Sequence, residues 1–129
     1  MYSEKREEIK RSVDSALKHA LKGGVVASMI VIKMEGLSGL SVSMVDLEGL
    51  VTASLRRRAD FVITSGNAIF IILHETEKDE AVIVAERIRR IIIDYLATKG
   101  NGNSVGISYS VTSSSEGADS FDAMMADME

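Results

Sequence analysis

Two hydrophobic periods alternate along this chain, and the switches between them mark its elements. Ile9, Val13, Ala16, Leu17, Ala20 and Leu21 recur at spacings of three and four. That is one face of a helix over residues 3–21, which Gly23-Gly24 ends. Residues 25–35, VVASMIVIKME, form a nearly continuous apolar and β-branched run, as expected of a largely buried strand. After the loop GLSGLS, Ser43 and Asp46 have the spacing of a capping box, opening a helix that carries Val51 and Leu55. Residues 60–64 and 68–73 read as two short strands around Gly66-Asn67, a pair that tolerates the positive φ of a tight hairpin. Thr76 and Asp79 can cap the next helix, whose Val84, Ala85, Ile88, Ile91, Ile92, Tyr95 and Leu96 make a stripe of period 3.6. Beyond KGNGN, the alternation of Val105, Ile107, Tyr109 and Val111 predicts a half-buried strand. Phe121, Met124, Met125 and Met128 form one face of a last short helix.

The predicted order is α-β-α-β-β-α-β-α. A hairpin between two strand–helix units implies an α/β (α+β) sheet containing antiparallel pairs, with helices on one or both faces. No repeat or linker interrupts it, so residues 1–129 are expected to be one domain, with an N-terminal helical segment 1–24 and a core 25–129.

Composition narrows the chemistry. The chain is 46% hydrophobic and 26% charged, ordinary for a globular protein. No apolar run approaches the ~18 residues of a membrane span, and the charged start MYSEKREEIKR has no signal-peptide core. A cytoplasmic location and no membrane association are expected. The net charge of −4 argues against a nucleic-acid partner. With no cysteine, thiolate metal sites and cysteine nucleophiles are excluded, and His19 and His74 lack ligand spacing. No metal site and no cofactor are expected.

The segment from Arg57 to Arg90 resembles the GGDEF domain, the diguanylate cyclase family. Arg57 and Asp60 match the family's arginine–aspartate pair ahead of its signature hairpin, and Gly66, Asn67, Ala68, Ile69 and Phe70 fall on the signature. "HET" resembles the usual "PET", "VAERIRRII" matches the following helix, and "SVGISYSV" is similar to a later family strand. The resemblance implies a palm-like βαββαβ core, here with an extra N-terminal helix. Counting back from His74 instead shifts the signature to Ser65 through Ile69. Neither register places a carboxylate at the central position, which is Ala68 in one and Asn67 in the other.

Upstream, the family's first core strand ends in an aspartate pair that supplies a metal ligand. Lys33 stands on that position here, within Ile32-Lys33-Met34-Glu35. The family's guanine-binding residues have no convincing counterpart in EGLSGLSVSMVDLEGLV, and Asp46 is better explained as a helix cap. The cyclase reaction needs divalent cations, which take carboxylate oxygens. A unit charge pair at ~4 Å and an effective dielectric of ~20 is worth roughly 4 kcal/mol, so a lysine in place of a carboxylate turns attraction into repulsion. The resemblance, with these departures, implies a degenerate domain without the cyclase activity.

What survives is the residue set of the family's inhibitory site for cyclic di-GMP, as Arg57, Asp60 and Arg87. Arginine forks bind phosphate bidentately and stack on guanine, and a carboxylate accepts from the guanine edge. The plainer reading is a solvated salt bridge at a helix end. Glu86, Arg89 and Arg90 read as a solvated face, and His74 as a loop residue in place of proline. Two functions of different class follow. One is a non-catalytic regulatory or protein-interaction module, a homodimer or a partner of another protein, with the first or last helix as its apolar surface. The alternative is a non-catalytic cyclic di-GMP receptor.

Overall fold

The structure, a computed structural model, describes residues 6–35, 44–55, 59–98, 106–114 and 120–128, with the backbone only at 6, 44, 59–61, 65, 127 and 128. The elements are α1 (Arg6–Lys22), β1 (Ala27–Glu35), α2 (Met44–Leu55), β2 (Ala59–Ser65), β3 (Ala68–His74), α3 (Lys78–Ala97), β4 (Gly106–Ser113) and α4 (Phe121–Met128). This is the predicted order. The four strands form one sheet in the order β2-β3-β1-β4, with every neighbouring pair antiparallel.

β1 lies inside the sheet with both faces covered from Ala27 to Ile32, which explains its nearly continuous apolar run. Ile30, Ile32 and Met34 face a core built with α2 and α3, while Ala27, Met29 and Val31 face one built with α1 and α4. β3 divides its side chains the same way, Ile69, Ile71 and Leu73 against Ala68, Phe70 and Ile72. The α3 stripe closes the first core through Ala81, Val84, Ala85, Ile88, Ile92 and Leu96. Ile107, Tyr109 and Val111 pack against it from β4, as the alternation predicts. Val105 lies outside the described residues.

α1 buries Ile9, Val13, Leu17 and Ala20 on its own sheet, so its stripe leaves no large apolar face for a partner. Leu21, expected on that face, is instead exposed, because the helix reaches its last turn there beyond the edge of the core. Gly24, with φ of 71°, turns the chain from α1 toward β1, and the Val25 N–H donates to the Ala20 carbonyl at 2.9 Å. α4 is held against α1 by two polar ties. Asp14 Oδ1 accepts from the Phe121 N–H at 2.8 Å and Lys10 Nζ pairs with Asp122 at 3.0 Å, while Ser120 Oγ, accepting from the Ala123 N–H at 3.1 Å, caps α4 itself. Phe121 and Met124 are thereby driven into the second core.

One cap differs from expectation. Thr76 does not cap α3; the N-cap is Glu77, which makes no side-chain capping bond. Thr76 is buried and stitches the end of β3 to β1. Its N–H donates to the Val26 carbonyl, and its own carbonyl accepts from Ser28 Oγ at 2.6 Å. Tertiary pairing took Thr76 before helix capping could use it. Ser43 lies outside the described residues, and Asp46 is an exposed residue of the first turn of α2.

Candidate functional site

The hairpin turns at Gly66-Asn67, pairing Ser65 with Ala68. Gly66 has φ of 61°, whereas Glu75 is the one non-glycine with positive φ among the described residues. Positive φ at the first central position alone is the backbone of a II′ turn, which favours glycine there. Asn67 serves another purpose. Its Nδ2 donates to the Met34 carbonyl at 2.5 Å, and its carbonyl accepts from the Met34 N–H at 3.0 Å. The turn is clamped to the end of β1.

That clamp brings the two expected ligand positions together. Lys33 of β1 and Ala68 of β3 are direct cross-strand partners, on the same face of the sheet. Asn67, the other candidate, is bonded to the residue after Lys33. Whichever register is used, the geometry joins the end of β1 to the hairpin. With Ala68 as the central position, the side chains found there are an exposed ammonium and a buried methyl. Neither donates an oxygen, so these residues do not fit a divalent cation. Among the described residues, no group of three or more His, Asp or Glu side chains is placed to hold a metal. Ile69 and Phe70 are core residues; Phe70 stacks obliquely on Phe121, with ring centroids 6.4 Å apart.

The three residues of the expected ligand cluster are placed to different degrees. Arg57 lies outside the described residues. Asp60 enters β2 at a register shift between Ala59 and Phe61, and its side chain is not described. Arg87 is exposed on α3. Glu86 and Arg89 engage β4, and at 100° per residue Arg87 falls on the opposite flank, toward α2. Since α2 packs on β2, Arg87 and Asp60 share one side of the molecule; the structure does not join them.

The expected solvated face is partly engaged. Glu86 accepts from Tyr109 Oη at 3.0 Å and pairs with Arg89 Nη1 at 3.1 Å, while Arg89 Nε reaches the Ile107 carbonyl at 3.5 Å. Burial and the Glu86 hydrogen bond were invisible locally, because Tyr109 is 23 residues away. The bond to Glu86 raises the Tyr109 phenol above its ordinary value, with desolvation acting in the same direction. His74 is the last residue of β3 rather than a loop residue, pairing with Ala27 and lying 3.4 Å from Glu75. It joins Glu8, Arg11, Ser12, Ser15, Ala16 and His19 around an open cleft of about 800 Å³ beside α1. The cleft sits at the far end of β3 from Ala68, roughly 20 Å along the strand.

No protein-family model matches the chain, and no curated protein matches its sequence. Solved structures do match its fold. The active GGEEF domain of a diguanylate cyclase from Vibrio cholerae superposes with a TM-score of 0.76 at 16% identity, over 95% of this chain and 84% of that one. The GGDEF domain of DgcB from Caulobacter crescentus, in complex with c-di-GMP, gives 0.68 at 16% identity, over 95% and 79%. The FimX GGDEF domain from Pseudomonas aeruginosa gives 0.65 at 16% identity, over 95% and 86%. The chain therefore has the GGDEF, or diguanylate cyclase, fold with α1 as an additional N-terminal helix. No helix among the described residues is long and apolar enough to cross a membrane.

Proposed function

We propose that this chain is a catalytically silent GGDEF-like regulatory module that acts by pairing with a second copy of itself. The observation that supports the catalytic half is the pairing of Lys33 with Ala68, the two positions on which the sequence resemblance sets the family's metal-binding carboxylates. A magnesium-bound triphosphate would meet a positive charge there and find no carboxylate at either matched position. Purified protein with GTP and magnesium is expected to release no cyclic di-GMP, measured by chromatography of the reaction mixture. Product that scales with the purified protein, and is lost with Asn67→Ala or Lys33→Ala, would refute silence.

A second reading is a cyclic di-GMP receptor using Arg57, Asp60 and Arg87. It draws support from the position of Arg87 on the α2-facing flank, the side on which β2 begins, and from the ligand present in the DgcB domain. Calorimetric titration with cyclic di-GMP decides it. If the dinucleotide binds there, Arg87→Ala should weaken binding by ~1.5–3 kcal/mol, the usual cost of a lost charge-assisted bond. No heat at millimolar ligand eliminates the receptor.

A further inference from the structure

We infer that the outward face of α3 pairs antiparallel with the same face of a second copy, through a seam centred on Ile83, Glu86, Arg90 and Ile93. This rests on the self-pairing reading above and names its surface. Five large apolar side chains are exposed among the described residues, and three of them, Val82, Ile83 and Ile93, belong to α3. They are 38%, 64% and 39% exposed, and all lie on the side of the helix turned away from the sheet. α1 and α4 offer no such face, because their stripes are spent on the second core.

The order of residues along the face selects its occupant. Asp79, Ile83, Glu86, Arg90, Ile93 and Ala97 are spaced four, three, four, three and four, the alternation of a two-helix seam. At 100° per residue, this seam lies roughly 150° around α3 from the buried stripe of Ala81, Val84, Ala85, Ile88, Ile92 and Leu96. Turned about a two-fold axis at the level of Ile88, the seam is its own complement. Ile83 then meets Ile93 of the second copy, Glu86 meets Arg90 of the second copy, and Asp79 meets Ala97 of the second copy. Each layer occurs twice. Val82 stands about 20° from Ile93 around the helix, so it extends both isoleucine layers. A parallel alignment would instead set Glu86 on Glu86 and Arg90 on Arg90, which like charges oppose. Charge selects the antiparallel pair.

The central layer is already half built in the single chain. Glu86 is held by Tyr109 Oη at 3.0 Å and Arg89 Nη1 at 3.1 Å, yet its side chain stays 45% exposed. Little of its freedom is therefore lost when a second cation arrives. Arg90 is exposed on the adjoining turn. Helices joined by a four-three seam pack at ~8–10 Å, a distance that covers Ile83 and Ile93 together. A charged layer between two isoleucine layers weakens such a pair but fixes its register and orientation. Reversible pairing of this kind suits a regulatory module.

The test is the mass of the full chain in solution, by sedimentation equilibrium across a concentration series. The wild-type chain should approach twice 14.0 kDa. Ile83→Asp, at a side chain already 64% exposed, should leave the fold intact by circular dichroism and dissociate the dimer. Arg90→Glu and Glu86→Arg should each raise the dissociation constant at least about tenfold, because like charges then oppose one another in two layers. An equimolar mixture of those two variants should recover the dimer mass, which an unfolded variant could not do. The chain has no cysteine, so a spin label on Thr98→Cys reports orientation. Antiparallel pairing about Ile88 separates the two labels by about 30 Å along the helices, whereas parallel pairing leaves them roughly 10 Å apart. A wild-type chain that stays monomeric at hundreds of micromolar overturns both this surface and the self-pairing reading. A dimer that survives Ile83→Asp and Arg90→Glu overturns this surface alone. Folded charge variants whose mixture stays monomeric, or labels at the shorter distance, overturn the antiparallel seam.

Discussion

Replacing Phe70 with alanine tests whether the signature hairpin now serves packing. Phe70 is 1% exposed, in the core beneath α1 and α4, with Phe121 at 6.4 Å and tilted by 50°. Truncating a fully buried phenylalanine removes its transfer free energy and leaves a cavity, together ~3–5 kcal/mol. Of that, about 0.5–1.5 kcal/mol belongs to the aromatic pair. A domain of this length is stable by roughly 6–19 kcal/mol, so Phe70→Ala should remain folded but lose a large share of its margin. Urea unfolding followed by circular dichroism should show a lower midpoint with an unchanged slope. Combining Phe70→Ala with Phe121→Ala should cost less than the sum of the two, by the coupling energy of the rings. A loss below about 1 kcal/mol, or strict additivity with Phe121→Ala, would refute the packing role.

Three further outcomes follow from single contacts. Ser28→Ala removes the donor that satisfies the buried Thr76 carbonyl at 2.6 Å and should destabilise by ~1–3 kcal/mol in the same urea assay; an unchanged midpoint would mean that solvent reaches Thr76. Gly66→Ala forces a side chain into φ of 61° and should cost ~1–2 kcal/mol, whereas a stabilised variant would exclude the II′ turn. The Tyr109 phenol is raised above 10.0 in the fold by its bond to Glu86, so its contribution is complete below about pH 10 and is lost as pH climbs through the raised value. Thermal melts should therefore show wild type losing stability relative to Tyr109→Phe only above about pH 10; a difference that grows toward acid pH would contradict that sign.

The elements themselves were legible in the sequence because each is written in a local period. The α3 stripe, the alternation of β4 and the Gly66-Asn67 break lie within single elements, where side chains 3.6 or 2 residues apart share a face. The burial of the β1 run on both faces was likewise implied by its composition. Candidate ligand positions could be named from spacing against a motif, but their side chains could not be given surroundings. Lys33 and Ala68 are 35 residues apart, and only the antiparallel register makes them neighbours. The roles of Thr76, Glu86 and Arg89 were decided the same way. Each has a local partner available in principle, a helix end or solvent, and each is taken up instead by a group from a distant strand: Ser28, Tyr109 and the Ile107 carbonyl. A local pattern reports which side of an element is apolar. Which polar group ends beside which other depends on strand order and register, and those arise only when the whole core closes.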